Sequence, residues 1–89
     1  MILMSVNWAD FQARRTATPV YVQLADWVQA RITAGDLAPD AQLPSQRELG
    51  ELTGHSTETA GKAMALLRQR GLVETSTIGT FVAEHEDNA

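Results

Sequence analysis

The sequence predicts a mainly α, α+β domain in which three helices are followed by a two-stranded β-hairpin. Three observations carry this. Apolar residues recur at helical spacing between Tyr21 and Leu67, and the capping residues Thr18, Ser45 and Ser56 stand directly before the periodic stretches. After Gly71 the pattern changes to two short alternating runs rich in β-branched residues. At 89 residues the chain has room for one such domain.

The first segment, residues 1–17, is an N-terminal extension with Ile2, Leu3, Met4, Val6, Trp8 and Phe11, then the basic pair Arg14-Arg15. Trp8 and Phe11 stand three apart, which predicts a short helix around Asn7 to Ala13. Thr18 is the expected N-cap of the first long helix, with Pro19 at its first helical position, where a missing N–H costs nothing. Tyr21, Leu24, Ala25, Val28 and Ile32 then form one apolar stripe, flanked by Trp27, and Gly35 ends the helix near Ala34.

Leu37-Ala38-Pro39-Asp40 reads as a turn. Ser45 caps the second helix and Glu48, three residues on, completes a capping box. That helix runs to about Thr53, burying Leu49 and Leu52, and Gly54 breaks it. Ser56 caps the third helix, which buries Ala60, Ala63, Met64 and Leu67 and stops at Gly71. The hairpin follows as Leu72 to Thr75, a polar tip from Ser76 to Gly79, and Thr80 to Ala83, with Val73 and Thr75 on one face, as are Phe81 and Ala83. Residues 84–89 form an acidic tail.

Composition removes several classes of function. With 44% hydrophobic and 20% charged residues the chain is globular rather than disordered. No apolar run approaches the roughly 18 residues of a membrane span, and Met1-Ile2-Leu3-Met4 is too short for a secretory core, so a cytoplasmic location without membrane contact is expected. Zero cysteines exclude disulfides, thiolate metal sites and a thiol nucleophile, and two histidines, His55 and His85, leave little for a metal centre. No catalytic constellation is present, so neither an enzyme nor a cofactor is expected; Glu48 and Glu51 share a helix face with nothing concave around them.

The net charge of −4 is unlike the basic balance usual among nucleic-acid binders. Its location tempers that. Glu84, Glu86 and Asp87 lie in the tail, whereas over residues 43–82 Arg47, Lys62, Arg68 and Arg70 balance Glu48, Glu51, Glu58 and Glu74.

The second and third helices are joined by about three residues around Gly54, the spacing of a helix-turn-helix. Adding the first helix and the closing hairpin gives a winged helix-turn-helix over residues 18–83. In that geometry the second helix of the pair enters the major groove of DNA by its N-terminus, here exposing Thr57, Glu58, Gly61 and Lys62. The hairpin tip lies against the DNA backbone or the minor groove.

Four blocks in order resemble the GntR family of bacterial winged-helix transcription regulators. The family's Pro-Leu-Tyr-x-Gln-Ile-Ala opening is similar to Pro19-Val20-Tyr21-Val22-Gln23-Leu24-Ala25, and its Gly-x-Leu-x-Pro-Gly turn to Gly35-Asp36-Leu37-Ala38-Pro39-Asp40, without the final glycine. Leu-Pro-Ser-Glu-Arg-Glu-Leu is matched by Leu43-Pro44-Ser45-Gln46-Arg47-Glu48-Leu49. The closing Gly-Leu-Val and Gly-Thr-Phe-Val stand as Gly71-Leu72-Val73 and Gly79-Thr80-Phe81-Val82. The resemblance covers about residues 18–83 and carries DNA contact over to Arg47, Ser56, Thr59, Gly79 and Thr80. The departures fall on the reading surface. Members have Val-Ser-Arg-x-Thr-Val-Arg entering the recognition helix, and this chain has His55-Ser56-Thr57-Glu58-Thr59-Ala60-Gly61, so the two arginines that read bases in the family do not carry over. The family's basic Gly-x-Gly wing is here Thr77-Ile78-Gly79. Family members append an effector-binding or dimerising domain; after the winged helix only the tail remains, so no small-molecule effector is expected.

The candidate DNA-binding residues are thus Ser45, Arg47, Ser56, Thr57, Glu58, Thr59, Gly61, Lys62, Gly79 and Thr80. Arg47 opposes the helix dipole in the first turn of its helix, which points to a phosphate contact, with an ion pair to Glu51 as the alternative. Ser45 and Ser56 cap helices whose free N–H groups also attract anions. Thr57 can meet a thymine methyl and Glu58 can accept from cytosine N4, although both also suit an ordinary first turn. Gly61 allows either a close approach to DNA or a solvent position, and Lys62 is a phosphate contact. Arg68 and Arg70 read as solvated charges at the end of the third helix, Arg14 and Arg15 as a phosphate-binding arm or a solvated linker, and His55 as a packed, hydrogen-bonded side chain. The expected function is a sequence-specific double-stranded DNA binder acting as a repressor. Its homodimer would form through the apolar extension with an exposed Trp27, on half-sites about 10 bp apart or a multiple of that. The alternatives are a winged-helix protein-interaction module, such as an antirepressor or assembly factor, and an architectural or plasmid-maintenance DNA-binding factor.

Overall fold

Periodicity resolves into three helices, α1 (Val20–Thr33), α2 (Gln46–Thr53) and α3 (Thr57–Gln69), and two antiparallel strands, β1 (Val73–Ser76) and β2 (Gly79–Val82), in the computed structural model, which describes residues 6–83. This is the winged helix-turn-helix order. α3 is the centre of it, packing against α1 on one side and α2 on the other, with the hairpin folded onto its end.

The start of α1 lies one residue later than the sequence reading places it. Pro19, not Thr18, is the N-cap, in an extended conformation with φ −59° and ψ 150°. Proline's fixed φ suits that position as well as the first turn. Its carbonyl accepts from the N–H groups of Val22 and Gln23, both at 3.1 Å. Thr18 is instead held from outside: its N–H donates to Thr16 Oγ1 at 3.2 Å, and its carbonyl accepts from Gln23 Nε2 at 2.8 Å. Leu24, Ala25 and Val28 are buried, while Tyr21 and Ile32 are half-buried at the stripe's edges.

The capping box of α2 forms as expected. Ser45 Oγ accepts from the Glu48 N–H at 3.2 Å, and Glu48 Oε1 accepts from the Ser45 N–H at 3.0 Å. Its burial differs from expectation. Leu49 is buried but Leu52 is 47% exposed. In so short a helix the inward positions are i and i+4, and the second is Thr53, whose hydroxyl satisfies itself on the Leu49 carbonyl at 2.7 Å. The small Ala60 and Ala63 of α3, both fully buried, let the neighbouring helices approach closely, with Met64 and Leu67 filling behind them.

The hairpin pairs Val73 with Val82, Glu74 with Phe81, Thr75 with Thr80 and Ser76 with Gly79. The buried face is therefore Val73 and Val82, with Phe81 half-buried opposite Glu74, and the tip is only Thr77-Ile78. The sequence reading gives no element to residues 41–43, yet they extend the sheet. Leu43 N–H donates to the Thr80 carbonyl and Val82 N–H to the Ala41 carbonyl, both at 2.8 Å, and Gln42 bridges Phe81. Asp40 enters this segment with φ +69°, so the position where the resembled family has glycine is one that demands a left-handed backbone.

The extension forms a single 3-10 turn, Trp8–Asp10, rather than a helix to Ala13, with Asn7 Oδ1 accepting from the Ala9 N–H at 3.1 Å. Trp8 and Phe11 are buried, at 7% and 6% exposure. Both rings meet Trp27 of α1 at centroid distances of 5.9 Å, and Phe11 also meets the His55 ring edge-on at 5.6 Å. This corrects the expected dimer surface: Trp27 is half-buried, not exposed, and the aromatic residues of the extension are spent inside their own domain. A small domain has little core, and three aromatic side chains add to it substantially. Met1 to Ser5 and the acidic tail lie outside the described residues.

Arg70, exposed at the end of α3, is a paired charge rather than a free one. Its Nη1 reaches Asp26 Oδ1 at 2.9 Å and Gln29 Oε1 at 2.7 Å, tying the end of α3 to α1.

Candidate nucleic-acid interface

The helix-turn-helix is built on a close backbone contact. Gly50, buried inside α2, faces the carbonyls of His55 and Ser56; a Cβ placed on it would lie 2.9 Å from each oxygen. α2 can therefore press onto the turn that launches α3, and Gly54 reverses the chain between them at φ +78°. Ser56 closes the N-terminus of α3: its Oγ accepts from the Thr59 N–H and lies 3.0 Å from Thr59 Oγ1. Thr59 is half-buried, with its hydroxyl engaged in this cap, whereas Thr57, Glu58 and Lys62 are exposed.

Both candidate cations carry a carboxylate partner one turn away. Arg47 Nε lies 3.5 Å from Glu51 Oε2, and Lys62 Nζ lies 3.8 Å from Glu58 Oε2. These pairs are wide and exposed, the Arg47 side chain at 81% and that of Lys62 at 59%, so solvent screens them and little is lost when a phosphate replaces the carboxylate. Lys62 also stands over the Tyr21 ring at 5.8 Å, which joins it to the start of α1. Gly61 is half-buried beneath α2: a Cβ there would meet Gln46 Oε1 at 2.9 Å. Neither sequence reading of Gly61 foresaw this packing against the first residue of α2.

The wing is joined to α3 through its outward hydroxyls. Arg68 Nη1 donates to Thr75 Oγ1 at 3.1 Å, and Thr75 Oγ1 lies 3.3 Å from Thr80 Oγ1. The sequence reading missed Arg68, assigning it to solvent at the far end of α3. The hairpin folds back along that end and brings Thr75 within reach, a contact that seven residues of separation do not announce. Gly79 takes φ +143°, and a Cβ on it would meet Gln42 Nε2 at 2.5 Å.

The structure thus collects Ser45, Arg47, Ser56, Thr57, Glu58, Thr59, Gly61 and Lys62 on the helix-turn-helix, with Gly79 and Thr80 on the adjoining wing. Among the described residues no group of three or more histidines and carboxylates is placed to hold a metal, and no helix is long and apolar enough to cross a membrane.

The sequence model of bacterial regulatory proteins of the gntR family matches residues 20–82. The chain belongs to this family. It is 34% identical over 84 residues to the HTH-type transcriptional regulator Rv0792c of Mycobacterium tuberculosis, covering 93% of this chain and 31% of that protein. It is 35% identical over 72 residues to the HTH-type transcriptional repressor NagR of Bacillus subtilis, covering 80% of this chain and 30% of the repressor. The chain therefore spans about a third of the length of these two curated relatives, which are transcriptional regulators. Its fold matches YtrA from Sulfolobus acidocaldarius, a GntR-family transcription factor, with a TM-score of 0.77 at 32% identity over 81% of this chain and 77% of that one. It also matches the DNA-binding domain of AraR in complex with operator ORX1, with a TM-score of 0.71 at 33% identity over 82% of this chain and 92% of that one. The fold is that of GntR-family DNA-binding domains.

Proposed function

We propose that this domain binds double-stranded DNA sequence-specifically and represses transcription by occupying a promoter. One observation carries the reading: the exposed N-terminal half of α3, with Thr57, Glu58 and Lys62, shares one helix-turn-helix block with the serine-capped start of α2 and with Arg47. α3 enters the major groove by its N-terminus. Thr57 offers its methyl to thymine and Glu58 accepts from cytosine N4, which puts base reading on side chains other than arginine. Arg47 and Lys62 exchange their carboxylate partners for phosphates, and the N–H groups at the starts of α2 and α3 add to the anion contacts. Gly79 and Thr80 bring the wing against the backbone. One domain makes few base contacts, so two copies act on half-sites about 10 bp apart or a multiple of that, in the cytoplasm.

Selection of bound duplexes from a random pool at about physiological salt tests this. An enriched, two-fold symmetric motif is the expected outcome. A pool without enrichment would overturn sequence-specific binding and favour the second reading, a winged-helix protein-interaction module. That reading draws on the pairing of Arg47 and Lys62 with Glu51 and Glu58. Salt dependence of any binding separates the two, because phosphate contacts weaken steeply as salt rises.

A further inference from the structure

The wing tip is unusual in chemistry. Among the described residues the exposed large hydrophobic side chains are Leu52 and Ile78, and Ile78, at 75% exposure, stands at the end of the hairpin. Isoleucine placed there costs apolar hydration and contributes nothing to the core. It is also held firmly. Ser76 Oγ accepts from the Ile78 N–H at 3.2 Å and donates to the Gly79 carbonyl at 3.3 Å, while Gln42 Nε2 donates to the Ile78 carbonyl at 3.3 Å. The tip thus has a fixed backbone, braced from the neighbouring segment as well as from its own strand. The residues around Ile78, namely Thr75, Ser76, Thr77, Gly79 and Thr80, carry no charge, so the tip neither attracts nor repels phosphate by a side-chain charge of its own.

We propose that Ile78 enters the DNA minor groove as an apolar probe and discriminates against G·C pairs at the base step it covers. The inference rests on the DNA-binding reading above and deepens it. The minor groove is about 6 Å wide, which admits a single side chain projecting from a hairpin tip but neither a helix nor the hairpin itself. Its floor differs between pairs chiefly in one group, the guanine N2 amine, which projects a hydrogen-bond donor where an A·T pair has none. A branched apolar side chain pressed onto that floor strands the amine without water or acceptor, and an unsatisfied buried donor is costly. Over A·T the same side chain meets no such donor. Apolar side chains inserted into the minor groove also ease unstacking at the step they touch. Wild-type readout at this position is therefore a penalty against G·C rather than a hydrogen bond to A·T.

Inosine isolates this effect, because an inosine·cytosine pair keeps the major-groove pattern of G·C and lacks the N2 amine. The probe is the duplex enriched in the selection, with each pair in turn changed to A·T, G·C or inosine·cytosine. At the pairs under the wing, the full chain is expected to bind A·T and inosine·cytosine duplexes alike, and both about tenfold tighter than G·C. Ile78→Ser removes an exposed side chain, leaves the fold intact, and is expected to bring the three duplexes within about twofold while other positions of the motif keep their preferences. Ile78→Leu is expected to retain the discrimination. Equal binding of G·C and inosine·cytosine at every position by the wild type would overturn the proposal, as would discrimination that survives in Ile78→Ser. Failure to select any duplex would overturn the DNA-binding reading itself and this inference with it. Binding that is sequence-specific through α3 positions alone would overturn the inference and leave that reading standing.

Discussion

Replacing Gly50 by alanine tests how the helix-turn-helix is held together. A Cβ at Gly50 would lie 2.9 Å from the carbonyl oxygens of His55 and Ser56 and 3.0 Å from the Ser56 carbonyl carbon. Ordinary contact begins near 3.5 Å, so α2 has to withdraw by roughly half an ångström. The obstacle is backbone and cannot rotate aside. Overpacking costs about 1–3 kcal/mol, and an obstacle that cannot move puts this site in the upper half of that range, about 2–3 kcal/mol; alanine returns about 0.5–1 kcal/mol of helix preference, so Gly50→Ala is expected to lose about 1–2.5 kcal/mol. For a domain of this size each kcal/mol lowers Tm by about 4–8 °C. Gly61→Ala is the matched control. Its Cβ also meets an atom at 2.9 Å, but that atom is Gln46 Oε1, the end of an exposed side chain that can turn away. The preference for alanine then survives, and the variant is expected to gain about 0.5–1 kcal/mol. Urea denaturation followed by the fluorescence of Trp8 and Trp27 measures both. A Gly50→Ala variant as stable as wild type, or a Gly61→Ala variant that loses as much, would refute the argument that backbone contact sets the helix crossing.

Other variants probe separate parts of the molecule. Arg47→Ala and Lys62→Ala are each expected to weaken binding to the selected duplex and to reduce the slope of log affinity against log salt by about one, with sequence preference unchanged; titrations at several salt concentrations measure this. Phe11→Ala removes a ring that is 6% exposed and touches both Trp27 and His55, so a loss of about 3 kcal/mol is expected in urea denaturation, with the sedimentation mass unchanged. Asp40→Gly relieves a left-handed residue at φ +69° and is expected to stabilise by about 0.5 kcal/mol, read as a raised Tm.

Local chemistry explains why so much of the fold is legible in the chain. Ser45 with Glu48, Ser56, Gly54 and the stripe of α3 act over a few residues, and their hydrogen bonds and spacing are written consecutively. The start of α1 is ambiguous because proline tolerates both the cap and the first turn, and Leu52 is misread because an apolar residue in a short amphipathic helix does not state which face has a partner. Gly50 did leave a signal, a glycine in the middle of a helix that alanine would favour, whose meaning depends on what approaches it.

By itself the sequence determines the order of helices and hairpin, the turn between α2 and α3, and the set of polar residues at the start of α3, because capping and periodicity are local. The tertiary structure alone decided that Trp8 and Phe11 close the core against Trp27 and His55, that residues 41–43 join the sheet, that Arg68 reaches the wing, and that Arg70 ties α3 to α1. Each of these joins residues from different elements, and such a contact is fixed by how helices pack, not by any neighbour along the chain.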